Sequence, residues 1–283
     1  RSNDEIVQLM IGREISAHFP PKPAYEIRKP LLEIRNLSWE NRLHDVSLSV
    51  GRGEIVGLGG LDGQGQKELL LSMFGVLKRV SGDVLIDGVP QKLNSPIAAK
   101  SAGGGIALVP EDRKTEGLML PMSIAENLVI ASLDELSSGI FVDEAKVSNA
   151  VAGAIQRLKI KIGSPDDAVS TLSGGNQQKV VIAKWLMTRP DVILLNDPTR
   201  GIDVGTKQEI YRLLRELADE GAAILFYSTD YDELIGSCDR VAILYDGRII
   251  SELQGDAINE KNIVAASLNI AGPKSEGGAH VGH

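Results

Sequence analysis

Gly60-Leu61-Asp62-Gly63-Gln64-Gly65-Gln66-Lys67-Glu68 lies between an apolar run, GEIVGLGG, and a helical one, KELLLSMFGVL. Glycines in such a place let the backbone curl until successive N–H groups face one anion at a helix N-terminus. The complete phosphate-loop pattern is G-x-x-x-x-G-K-[ST]. Gly60, Gly63 and Gly65 are present, but Gln66 holds the Lys slot and Lys67 the hydroxyl slot. A neutral Gln forfeits a charge-assisted contact of about 1.5–3 kcal/mol, and an ammonium at 67 offers Mg²⁺ no hydroxyl. Taken alone, the loop reads either as a weakened phosphate cradle or as a plain strand–helix turn.

A second glycine-bearing string, Thr171-Leu172-Ser173-Gly174-Gly175-Asn176-Gln177-Gln178-Lys179, precedes the helical run VVIAKWLM. Ser173 suits an N-cap, with backbone N–H groups behind it able to point at an anion. Ser-Gly-Gly alone also fits an ordinary capped helix. The longer LSGGNQQK resembles the signature motif of ABC-transporter ATPase domains, and its NQQK extension resembles the ribose/galactose/arabinose type of sugar importer, in which two such domains share one chain. With the Gly-rich turn, DVILLNDPTRGID and the DGRII hairpin, the resemblance spans about residues 31–265. It implies a P-loop NTPase fold and a cofactor, ATP or ADP with Mg²⁺. The implied partners are a second ATPase domain, transmembrane permease subunits and, indirectly, a sugar-binding protein.

The resemblance also implies roles that several residues fill imperfectly. In the family the Walker B strand ends in Asp-Glu, the Asp supporting Mg²⁺ and the Glu polarising the attacking water. Here those positions hold Asn196, which has no charge to balance a metal, and Asp197, one methylene short of Glu. A catalytic group misplaced by about 1 Å can cost ~10²-fold. Thr229, in Ser228-Thr229-Asp230, stands where the family has its switch histidine, and Glu111, in PEDRK, occupies the glutamine-loop slot. A solvated loop is the bland reading of PEDRK. Asp203 in RGID matches the D-loop, which crosses the interface between domains, or is simply a helix N-cap beside Thr206. Trp39 matches the family's adenine-stacking aromatic, or is a core ring. By contrast Ser173, Gly174, Gly175 and Gln177 of the signature are retained. The own ATP site is therefore expected to be hydrolytically weak or dead, with the signature completing a partner's site.

These loops need rigid elements to hold them. LLEIRNLSW and DVSLSV read as paired strands, and GDVLIDG as a strand ending in an Asp-Gly turn. GGIALVP, DVILLND and AAILFYST read as buried strands, KQEIYRLLRELADEG as a helix with a Gly stop, and RVAILYDGRII as a hairpin. The alternation predicts an α/β fold with a mainly parallel core sheet, an antiparallel β subdomain and a helical subdomain at about 115–185. The cassette is expected over 31–270. Residues 1–30 would then be the end of a preceding domain, a short amphipathic helix over 1–19, followed by the Pro-rich linker PPKPAYEIRKP. Residues 271–283 lack periodicity and are expected to be a flexible tail.

Composition narrows the function classes. At 283 residues, 43% hydrophobic and 24% charged, the chain can bury a core. A net charge of −8 and no long basic block argue against nucleic acid. The lone Cys238 excludes an internal disulfide and a Cys-cluster zinc site. No apolar run reaches a membrane span and no signal peptide is visible, so membrane association is expected through a partner; the resemblance implies a peripheral position on the cytoplasmic face of the inner membrane. The missing initiator Met suggests an excised fragment or a processed chain. The expected function is the energy-coupling domain of a carbohydrate importer. A non-hydrolysing regulatory module and a stand-alone soluble ABC ATPase are the alternatives.

Overall fold

The computed structural model describes residues 19–23, 26, 28–138 and 141–270. Residues 1–18 of the helix expected over 1–19, and the tail over 271–283, lie outside the described residues. The chain opens with three strands, β1 (Pro30–Trp39), β2 (Leu43–Gly51) and β3 (Ile55–Gly59), followed by helix α1 (Gln66–Met73). Next come β4 (Ser81–Ile86), β5 (Val89–Gln91), α2 (Pro96–Ser101) and β6 (Ile106–Val109). A π-helical turn at Arg113–Gly117 leads into α3 (Ile124–Val129), α4 (Leu133–Leu136), the short strands β7 (Ser137–Ser138) and β8 (Phe141–Val142), and α5 (Glu144–Arg157). The remainder is α6 (Gly174–Leu186), β9 (Val192–Asn196), α7 (Val204–Asp219), β10 (Ala223–Tyr227), α8 (Tyr231–Ser237), β11 (Arg240–Tyr245), β12 (Arg248–Gln254) and α9 (Glu260–Ser267).

Two principal sheets organise these elements. The central one has six strands in the order β12-β11-β3-β10-β9-β6, parallel except for the edge strand β12. The other has four antiparallel strands in the order β2-β1-β4-β5. Every residue of β3, β6, β9 and β10 is buried, which is why these strands are unbroken apolar runs rather than alternating ones. Alternate side chains go to opposite sides. Ile193, Leu195, Ile224, Phe226 and Ile243 pack with α6, α7 and the helical part, whereas Leu194, Leu225 and Leu58 pack with α1 and the antiparallel sheet.

The Asp-Gly pairs are legible as turns and behave as such. Asp87-Gly88 and Asp246-Gly247 all have positive φ, the geometry of a two-residue type I′ hairpin turn whose twist matches the flanking strands. The helix after the Gly-rich loop is shorter than KELLLSMFGVL suggests. It ends at Met73 because Gly75 turns left-handed and its backbone packs on Ser95, where a Cβ would lie 2.6 Å from the backbone nitrogen. The expected helical stretch at 115–185 also contains the β7–β8 ladder. Before β1, the chain runs along the domain: the Phe19 ring stacks on Tyr211 at 4.6 Å, and Lys22 donates to the carbonyl of Ile235.

Arg240 joins the two sheets. Its guanidinium pairs with buried Glu54 at 2.7 Å, reaches Glu252 and donates to the carbonyl of Ser49 on β2. Removing one partner of a buried pair leaves the other charge uncompensated, which costs about 3–5 kcal/mol. Arg240→Met is therefore expected to lower the unfolding free energy by about that much, read by urea denaturation. Glu54→Gln added to it should restore part of the loss.

Candidate functional site

Four loops meet where the parallel strands end. The C-termini of β3, β10, β9 and β6 lie side by side, and the residues that follow them carry the Gly-rich turn, Ser228-Thr229, Asn196-Asp197 and Glu111. The crevice at the carboxyl ends of an open α/β sheet is where such folds take ligands. The sheet thus brings together four of the segments marked in the sequence, although they are up to about 170 residues apart along the chain.

In the Gly-rich turn, Gly60, Gly63 and Gly65 all have positive φ. Gly60 has no room for a side chain, since a Cβ would come 2.4 Å from the carbonyl oxygen of Leu244. Gly65 is the left-handed N-cap of α1. Gln66 is buried and folds back into its own loop. Its Nε2 donates to the carbonyls of Leu61 at 3.0 Å and Gly59 at 3.3 Å, and its Oε1 accepts the N–H of Gln64 at 3.1 Å. One backbone donor of the cradle is thereby satisfied from within the protein. Glu68 faces Arg42 at 3.9 Å, and Asp62 accepts the Tyr227 hydroxyl at 3.0 Å. Burial and that neighbouring carboxylate push the Tyr227 hydroxyl well above its ordinary range.

At the end of β9, Asn196 is buried and its Oδ1 has no hydrogen-bond partner. Asp197 follows in the left-handed region at φ 47, its N–H bonded to the carbonyl of Tyr227. Its Oδ2 accepts the Thr229 hydroxyl at 2.7 Å. The two residues at the general-base and switch positions are therefore bonded to each other. Burial raises the Asp197 pKa, the Thr229 bond opposes this, and the charge on Glu233 adds to the rise.

Glu233 carries no sequence signal, yet it gathers the surrounding loops. It is 2% exposed and accepts from Thr199 Oγ1 at 2.6 Å, Ser228 Oγ at 2.8 Å, Tyr211 Oη at 2.8 Å and Lys207 Nζ at 2.6 Å. The segments that follow β9 and β10, together with α7, thus share one carboxylate. In YDELIGS it reads only as a helical Glu.

Glu111 is held between two cations. Lys67 Nζ lies 3.3 Å from its Oε2, and the Arg200 guanidinium bonds its Oε1. In NDPTRGID nothing local marks Arg200; its partner lies 89 residues away and is brought to it by the tertiary structure. A divalent cation of the Mg²⁺ type needs hard oxygen ligands. Here the hydroxyl position is an ammonium, both Glu111 oxygens are engaged, and Asn196 is neutral. Among the described residues no group of three or more His, Cys, Asp or Glu side chains could hold a metal ion. The residues present do not fit a divalent cation.

The signature string opens α6. Ser173 is its N-cap, accepting from the backbone N–H of Asn176, and Asn176 Nδ2 donates to its Oγ at 3.0 Å. Ser173 is exposed, Gly174 half-buried and Gly175 buried. A Cβ on Gly174 would meet only the guanidinium tip of Arg113, at 2.8 Å, whereas one on Gly175 would crowd Thr206 at 2.6 Å. Gln177, grouped with the cap in the sequence, is instead buried, its Nε2 directed at the carbonyl of Val169 at 3.4 Å. Gln177 lies one turn, about 6 Å, further along the helix than Ser173, where α6 has already entered the domain. Asp203 is the N-cap of α7, accepting the Thr206 N–H at 2.9 Å, which holds its carboxyl below the usual range. Trp39 is partly buried against the antiparallel core, and its indole N–H donates to the carbonyl of Lys78 at 3.0 Å. The core reading of that ring accounts for its contacts.

The family model described as ABC transporter matches residues 43–200, and the chain belongs to that family. A ribose import ATP-binding protein of Mesorhizobium japonicum is 61% identical over 97% of this chain and 54% of its own length. Proteins of the same description from Rhizobium johnstonii and Geobacillus kaustophilus are 60% and 41% identical, over 96% and 93% of this chain and 53% of their own lengths in each case. The chain spans about half the length of these curated relatives. A nucleotide-free ATP-binding cassette from an ABC transporter superposes with a TM-score of 0.71 over 86% of this chain and 98% of its own, at 23% identity.

Because burial lifts the Asp197 pKa, the folded state binds that proton more tightly than the unfolded chain does. Its contribution is favourable at acid pH and is lost as pH rises through the folded value. Asp197→Asn keeps an acceptor for Thr229 without the charge. It is expected to melt higher than wild type at pH 7, with the difference closing as pH falls through the carboxylate range, read by calorimetric scans across pH.

Proposed function

We propose that this chain is the nucleotide-binding, energy-coupling domain of a ribose-type sugar importer, and that it corresponds to the second cassette of a tandem protein. Its own ATP site is degenerate, and its signature caps the nucleotide held by the other cassette. The relatives' descriptions support the transport system. Their length, about twice the span matched here, is what a two-cassette chain would have.

The observation that carries the asymmetric reading is a contrast between two helix N-termini. At α6 the Ser173 cap and the edge of Gly174 face outward, free to meet an anion on another molecule. At α1 the loop is closed on Gln66, and the positions expected to split a nucleotide are Gln66, Lys67, Asn196, Asp197 and Thr229. Loss of one transition-state clamp costs ~10²–10³ in rate, and here the changes converge on one reaction. Asp203 and Arg200 lie on the loop that would cross to the partner.

Transmembrane permease subunits would dock near residues 110–125, where Met119 is an exposed apolar side chain. A sugar-binding protein would act through them. No helix among the described residues is long and apolar enough to cross a membrane. As the ATPase domain of an import system, the chain would work peripherally, on the cytoplasmic face.

The test is reconstitution. The chain alone should show background ATP hydrolysis. Adding the half of a full-length relative that it does not match should raise turnover, and Gly174→Glu should cut that gain by about 10²-fold. The Cβ at 174 meets only a flexible Arg113 tip, so this variant should fold. Robust Mg²⁺-dependent hydrolysis by the chain alone would overturn the reading.

A further inference from the structure

The own site has lost the chemistry of a metal-nucleotide complex without losing positive charge. Lys67 stands where the phosphate-loop pattern has its hydroxyl. Its ammonium lies 3.3 Å from Glu111, whose other oxygen is bonded by Arg200. Two cations, one from the first turn of α1 and one from the segment after β9, therefore converge on one carboxylate at the mouth of the crevice. Side chains alternate along β9, so Asn196 shares the face of Leu194, which α1 covers. Its buried, unpartnered Oδ1 is an acceptor waiting for a donor. A water or an ammonium satisfies it, and a neutral amide does nothing to balance a dication.

We propose that this cassette's own site takes the polyphosphate of a nucleoside di- or triphosphate free of divalent cation, with Lys67 and Arg200 supplying the positive charge. On binding, phosphate oxygens replace Glu111 as the partner of Lys67, and replace Gln66 Oε1 on the backbone N–H of Gln64. The left-handed glycines at 60, 63 and 65 give the loop the curl that lets its N–H groups converge. A divalent cation would sit against the Lys67 ammonium, with both Glu111 oxygens engaged by cations and one Asp197 oxygen held by Thr229, so metal competes with the site instead of completing it. This rests on the reading of the own site as degenerate, but not on the signature capping a partner.

The test is calorimetric titration of the chain with ADP and with ATP, once in excess EDTA and once in excess MgCl₂. Binding in EDTA should be at least as tight as with Mg²⁺. Lys67→Ala should weaken it about tenfold or more in EDTA, as loss of a charge-assisted contact does. Lys67 is half-exposed, so folding is not at stake, and far-UV circular dichroism confirms it. As a second readout, the free Mn²⁺ resonance signal, lowered by ADP, should be partly restored when protein is added in excess over ADP, because the site withdraws metal-free ADP; a further loss of signal would overturn the proposal. Binding tightened about tenfold by Mg²⁺ would overturn the proposal, as would Lys67→Ala binding like wild type. Absence of binding in both conditions would also overturn it, while leaving the reconstitution result untouched.

Discussion

Burial of a parallel sheet on both faces is the constraint from which the rest of the molecule follows. β3, β9 and β10 are each paired to a strand on both sides, β6 to β9 on one side, and all four have their side chains packed above and below. Such strands cannot slip without exposing apolar surface on one face and stranding polar groups. Their C-terminal ends are consequently fixed relative to one another. Loops as distant in the chain as the Gly-rich turn and Ser228-Thr229 are held as neighbours by that ladder.

On this rigid edge the charges have been redistributed. The resemblance implies a metal clamp made from a hydroxyl, a glutamine-loop side chain and a carboxylate. Here an ammonium, a glutamate and an amide stand there, and the first two neutralise each other. The exchange is internally consistent. A glutamate near the phosphates would repel them if bare, but Glu111 is flanked by Lys67 and Arg200. The loop's own donor is likewise answered, by Gln66 rather than by a phosphate.

The two glycine-bearing helix starts differ for reasons of packing. α1 is seated on the sheet, with Gly65 against Leu43 and Gly60 against the β11 carbonyl of Leu244. α6 begins at the surface and becomes buried from Gly175 onward. The same dipole and the same kind of N–H array therefore face inward to this domain's own crevice in one case and outward in the other. Elsewhere on the same edge, Glu233 ties the segment after β9 to the segment after β10 through Thr199 and Ser228.

Local chemistry made much of this readable before any coordinates. Unbroken apolar runs marked the doubly buried strands, Asp-Gly pairs marked both hairpins, and Ser173 and Asp203 announced helix starts, because each signal depends on a few adjacent residues. The departures at Gln66, Lys67, Asn196, Asp197 and Thr229 were equally plain as residue types in a spaced pattern. What those residues bond to was not. The return of Gln66 into its loop, the Glu111 bridge between Lys67 and Arg200, the inward turn of Gln177 and the gathering of four donors on Glu233 were decided only when the chain closed. Each depends on groups brought within 3–4 Å by the sheet register and the helix packing, and no stretch of local sequence carries that distance.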